Sequence, residues 1–156
     1  MTDFYTHQLV ILLPGTKNGF VKPNVNFTGD TEADRLLMAP YISGSPVTMT
    51  GDLTIGIANA TDKVIGLLVY DGAGTSPLDG MGGGDQSGVL TYVYGLATVK
   101  VPSRVLASGI TFAVNDEVCA TATGKLTNVV GTGTVIGTVI SAVDQATDGL
   151  VVQMSI

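Results

Sequence analysis

From residue 109 onward the chain is a succession of short β-branched runs, each shut by a turn signal, and that alternation restricts the fold more tightly than any other feature. Gly109-Ile110-Thr111-Phe112-Ala113-Val114 meets Asn115-Asp116-Glu117, and Val118-Cys119-Ala120-Thr121-Ala122 meets Gly124-Lys125. Val135-Ile136-Gly137-Thr138-Val139-Ile140 is followed by Asp148-Gly149 and then Leu150-Val151-Val152-Gln153-Met154-Ser155-Ile156. Branched side chains at Cβ suit the pleated backbone and crowd a helix, while Gly, Asn and Asp supply the turns. The expectation is an all-β domain, a compact β-barrel or β-sandwich of short antiparallel strands with little helix, whose closing strand is paired to its neighbours.

Composition narrows the class of protein. Only 13% of the 156 residues are charged, Trp is absent and the hydrophobic share is 45%. Such a chain is too apolar for a disordered segment and long enough to bury a core without metal or disulfide support. Seven basic side chains face thirteen acidic ones, for a net charge of -6 with no basic cluster, so the electrostatic attraction that dominates nucleic-acid affinity is missing and no direct nucleic-acid partner is expected. The one cysteine, Cys119, excludes an intramolecular disulfide and a cysteine-based zinc cluster, and reads as a small buried apolar side chain. The apolar run Leu9-Val10-Ile11-Leu12-Leu13 is shorter than a signal-peptide core or a membrane span and follows Asp3 and His7 rather than a basic stretch, so synthesis in a cytoplasm and no membrane partner are expected.

Organisation changes near residue 47. Residues 1–46 hold four of the six prolines and three of the four phenylalanines, with little periodicity. They read as an N-terminal arm carrying one helix-like piece, residues 31–38, with Asp30 or Thr31 as cap and Pro40 as stop. Two readings of the arm stand side by side: a loop folded back on its own domain, or an extension that lays aromatic and proline side chains on a neighbouring subunit. On the second reading Phe4, Tyr5, Phe20, Phe27 and Tyr41 are the candidate contacts, and deletion of residues 1–45 leaves a folded domain. Residues 47–156 read as the β-domain. Val47 to Ile57 predicts two strands about a Gly51-Asp52 turn, Lys63 to Tyr70 a strand buried on both faces, and Val89 to Val101 a further strand ended by Pro102. Between them, residues 71–88 hold seven glycines in eighteen positions and read as a loop.

Patterns suggestive of chemistry are incomplete. Gly83-Gly84-Asp85-Gln86-Ser87-Gly88 resembles a serine-protease nucleophile loop only loosely, and the sole histidine, His7, is in the arm. Gly72-Ala73-Gly74-Thr75 lacks the lysine and following helix of a phosphate cradle. Asp116-Glu117, the adjacent acidic pair, reads as a solvated hairpin tip, and Asp144 and Asp148 bracket a turn without the dense Asp/Asn alternation of a calcium loop. No catalytic residue, cofactor site or metal site is assigned.

Residues from about 60 to 156 resemble the small capsid decoration, or cement, proteins of tailed bacteriophages. The likeness is carried in order by Val64-Ile65-Gly66, by Gly95-Leu96-Ala97-Thr98-Val99-Lys100-Val101-Pro102, by Asn115-Asp116-Glu117-Val118, by Gly124-Lys125, by Ile136-Gly137-Thr138-Val139, and by Asp148-Gly149 with the run to Ser155. The longer arm and the glycine-rich loop depart from the pattern. The resemblance implies a β-barrel with no enzymatic activity that binds the outer surface of an assembled capsid, bridges neighbouring major capsid protein subunits and works as a homotrimer. Two other classes stay open: a tail or fibre component that recognises a host-surface ligand through residues 71–88, and a hydrolase using Asp116, Glu117 or Asp85.

Overall fold

Alternation of small polar and branched apolar residues produces eleven short strands in a computed structural model, which describes residues 10–11, 17–23, 40–69, 90–131 and 133–156. In chain order they are β1 (Val10–Ile11), β2 (Lys17–Pro23), β3 (Pro46–Gly51), β4 (Thr54–Ile57), β5 (Gly66–Leu68), β6 (Leu90–Tyr94), β7 (Leu96–Val101), β8 (Glu117–Ala120), β9 (Leu126–Thr127), β10 (Gly137–Ser141) and β11 (Leu150–Ser155). The only helical piece among the described residues is a 3-10 turn, Ser103–Val105, entered from Pro102, which has no N–H to continue the ladder. The fold is all-β, as the sequence leads one to expect. No helix of the described residues is long and apolar enough to cross a membrane.

The strands divide between two sheets. β2, β4, β3, β5 and β6 close into a small barrel, and β1, β7, β11, β10, β8 and β9 form a six-stranded sheet in that order. Pairing is antiparallel throughout except for β2 beside β4. β11 is the sheet's central rung, matched residue for residue with β7 from Leu150↔Val101 to Ser155↔Leu96. Its period of two is visible in burial: Leu150, Val152 and Met154 face inward with Val101, Val99 and Ala97, while Gln153 and Ser155 face water.

Two cores result. One, inside the barrel, gathers Tyr41, Val47, Ile55, Leu68 and Leu90; the larger lies against the six-stranded sheet and takes in Leu67, Val93, Val99, Leu126, Val139 and Val152. Adjacent residues Leu67 and Leu68 therefore belong to different cores, because successive side chains of a strand point to opposite faces. The expectation of a strand buried on both faces holds for this segment, where Gly66–Leu68 forms the strand and the flanking Ile65 and Val69 N–H groups donate to the Val47 and Thr91 carbonyls. Each such side chain contributes roughly 1.5–3 kcal/mol on full burial, so β5, as the wall common to both cores, ties them into one unit.

Three sequence readings are revised. The run Val89 to Val101 is not one strand: Gly95, at φ +87°, breaks it so that β6 stays in the barrel and β7 enters the sheet. An added Cβ at Gly95 would meet nothing within 4 Å, so the backbone angle alone calls for glycine there. Its N–H donates to the Ile156 carbonyl, which pins the corner to the end of β11. The stretch read as an arm is partly built into the fold, since β1 pairs with β7 and β2 lies between β6 and β4. Removing residues 1–45 would therefore take out the strand that closes the barrel. The helix-like piece 31–38 and the loop 71–88 lie outside the described residues.

Candidate interaction surface

Residues 110–114 lie outside the strands, and side chains of Gln145, Asn128 and Asp116 supply hydrogen bonds to their backbone. The Gln145 amide does this at both ends, its Oε1 accepting the Phe112 N–H at 2.8 Å and its Nε2 donating to the Ile110 carbonyl at 2.8 Å. Asn128 Nδ2 donates to the Thr111 carbonyl at 3.0 Å and to Asp116 Oδ2 at 2.8 Å, and the same Asp116 oxygen accepts the Ala113 N–H at 2.8 Å. Asn115, at φ +76°, turns the chain so that its N–H reaches the Val139 carbonyl at 2.8 Å and Glu117 starts β8. Phe112 is thereby held in the core while Val114 is left outside.

The topology places the segments so joined at one end of the six-stranded sheet, where β8 and β11 begin and β9 and β10 finish. Eight large apolar side chains are exposed among the described residues, and five of them, Val114, Val129, Val130, Ile140 and Val143, lie on these segments at 44–76% exposure. Ile140 is turned outward by a β-bulge, where the β10–β11 register slips between Val139 and Ser141. Single exposed valines are ordinary, and what sets these apart is that the topology brings their segments to one end of the sheet.

Carboxylates at this end are tied to neighbouring groups. Hydrogen bonds from Asn128 and from the Ala113 N–H hold the Asp116 carboxyl below its ordinary value, so the ionised form is favoured. This revises the reading of Asp116-Glu117 as a merely solvated tip. Asp148 accepts an ion pair from Lys100 Nζ at 2.6 Å, and the Asp144 carbonyl accepts the N–H groups of Thr147 and Asp148 in the turn before β11. No three His, Cys, Asp or Glu side chains among the described residues are grouped to hold a metal.

Of the contact candidates, Phe4, Tyr5 and Phe27 lie outside the described residues, and Phe20 stands on β2 opposite Thr91. Tyr41 is only 4% exposed and packs in the barrel core with Val47 and Leu68, so its ring supports the fold and has no surface to offer a partner. His7, Asp85, Ser87 and Gly72-Ala73-Gly74-Thr75 also lie outside the described residues. Cys119 is buried, and desolvation, followed by the nearby Glu117 charge, pushes its thiol up against the smaller effect of a Gly131 N–H, which makes it a poor nucleophile. A cleft of about 530 Å³ opens between the barrel and the β8–β9 hairpin, but Lys125 on its wall spends its ammonium on the Arg104 carbonyl at 2.7 Å.

Asn128 and Gln145 are the residues that sequence reading passed over. Neither stands in a motif; each is a polar residue just beyond a strand whose target lies 12 to 35 positions away. The chain matches no known family model and no curated protein.

Proposed function

We propose that this protein is a structural virion component that binds the outer surface of a bacteriophage capsid and stabilises it by bridging neighbouring major capsid protein subunits. The observation that carries the reading is the gathering of Val114, Val129, Val130, Ile140 and Val143 at one end of a sheet whose connecting segments are already ordered by side-chain hydrogen bonds. A surface fixed before contact spends little free energy on ordering when it binds. Valine and isoleucine also lose less rotamer entropy on burial than long charged side chains do.

The segments that carry the resemblance to cement proteins support the same reading. Five of the six fall in the six-stranded sheet and its turns: the Gly95 corner with β7, the turn into β8, the Gly124-Lys125 hairpin, β10, and the turn into β11. Presented as a homotrimer, one such end per subunit gives three equivalent footprints. Individually weak contacts then act at a high effective concentration, which raises avidity by about 10²–10⁴ when the geometry allows all to engage.

Cryo-microscopy of the intact particle tests the proposal. Density for this chain on the shell exterior, in a copy number that follows the lattice, is the expected result, and shells lacking it should open at lower temperature. Density confined to the tail would refute the decoration role in favour of a tail or fibre component, and absence from the particle would refute both.

A further inference from the structure

We infer that β2 is a detachable strap: the barrel opens along its β2–β6 and β2–β4 seams by local unfolding, while the six-stranded sheet and the rest of the barrel stay folded. The strand that closes the barrel is poorly suited to being a strand. It reads Lys17-Asn18-Gly19-Phe20-Val21-Lys22-Pro23, in which Phe20 and Val21 alone favour the extended pleat, whereas its neighbour β6 is Leu90-Thr91-Tyr92-Val93-Tyr94. Gly19, opposite Tyr92 in the middle of the pairing, loses more backbone freedom on ordering than other residues do and brings no side chain to pack. At the other seam β2 meets β4 through Lys22↔Thr54 and Pro23↔Ile55. That pairing is parallel, the less stable kind, and Pro23 has no N–H to contribute to it.

Connectivity places the opening at these seams. β4, β3, β5 and β6 are joined in that order by antiparallel pairs that do not involve β2, and Tyr41, Val47, Ile55, Leu68 and Leu90 supply the buried core between them. This arc is anchored to the sheet, because β5 gives Leu67 to one core and Leu68 to the other. β2 stands differently: it precedes these strands in the chain and closes on β6, the last of them, so its docking costs loop-closure entropy that few strand-favouring residues offset. In the six-stranded sheet, by contrast, β11 is paired with β7 from Leu150↔Val101 to Ser155↔Leu96 on one side and with β10 on the other. Local opening takes the elements of low stability and leaves strongly paired ones closed. Release of β2 bares the edges of β4 and β6, and a bare strand edge is a template on which an added strand can pair.

Amide hydrogen exchange on the full chain, followed residue by residue by nuclear magnetic resonance, tests the inference. Amides of β2 that bond to β6 should exchange about a hundredfold faster than those of Val152 and Met154 in β11. Their rates should also respond only weakly to urea below the unfolding transition, because the opening exposes little surface. Asn18→Thr puts a strand-favouring residue into β2 and should slow exchange there about threefold while leaving Val152 and Met154 unchanged. Rates and urea dependence in β2 that match those of Val152 would mean that barrel and sheet open as one unit, which overturns the strap. Equally fast exchange at Ile65 and Leu68, whose N–H groups donate to the Val47 and Ser45 carbonyls, would place the opening in the whole barrel and overturn it too. An Asn18→Thr variant that slows Val152 as much as β2 would have the same force.

Discussion

Replacing Gln145 by leucine should loosen residues 110–112, because one amide bonds both the Phe112 N–H and the Ile110 carbonyl. Both of its bonds, to the Phe112 N–H and the Ile110 carbonyl, are 2.8 Å long and partly buried. A neutral hydrogen bond contributes about 1 kcal/mol net, and a peptide group left without a partner away from water costs about 1–3 kcal/mol. Leucine recovers at most about 1 kcal/mol through extra apolar burial at a half-covered site. The expected loss is therefore about 2–3 kcal/mol in urea unfolding followed by far-ultraviolet circular dichroism, with faster hydrogen exchange at the Phe112 amide. Gln145→Glu separates the two bonds: it keeps an acceptor for Phe112 but sets a carboxylate oxygen against the Ile110 carbonyl, for a loss of about 1–2 kcal/mol at neutral pH. A loss below about 0.5 kcal/mol for the leucine variant, with Phe112 exchange unchanged, would refute the claim that side chains hold residues 110–114 in place.

Two glycines with similar backbone angles should respond differently. Gly149, at φ +91°, starts β11 with no room for a side chain, since an added Cβ would overlap the Val101 carbonyl, whereas Gly95, at φ +87°, faces open space. Gly149→Ala should cost more than about 3 kcal/mol and Gly95→Ala about 1–2 kcal/mol, so equal shifts in thermal unfolding would contradict the packing described. Asp116 gives stability a defined pH dependence: its folded pKa is lowered by Asn128 and the Ala113 N–H, so the unfolded chain takes up the proton first as pH falls. The stabilisation is complete above the ordinary aspartate value near 4 and disappears as pH drops through the lower folded value. Urea titrations below about pH 5 should therefore show a shallower pH slope for Asp116→Asn than for the wild type, and equal slopes would rule out this carboxylate as the source.

Strand content, most turn positions and the burial of Cys119 are legible from local pattern, because period-two alternation and turn residues act over a few positions. Residues 150–155 read as a strand and are one, and Gly51-Asp52 reads as a turn and lies at the head of one. The role of Tyr41 was not legible: an aromatic residue next to Pro40 in an aperiodic stretch gives no sign of whether it meets a partner or its own core. The break at Gly95 was equally hidden, since a glycine inside a strand pattern is compatible with a bulge, a bend or a change of sheet.

The amino-acid sequence by itself determined that this chain is built of short strands, with too apolar a composition to remain unfolded. Tertiary structure alone decided that Leu67 and Leu68 serve two cores, that β2 closes a barrel, and that Val114, Val129, Val130, Ile140 and Val143 share one end of a sheet. The physical reason is range. Periodicity and turn chemistry are properties of neighbours along the chain, whereas a surface is an agreement among segments that meet only after strands have paired, and here Asn128, Gln145 and Asp116 make that agreement across gaps no local pattern records.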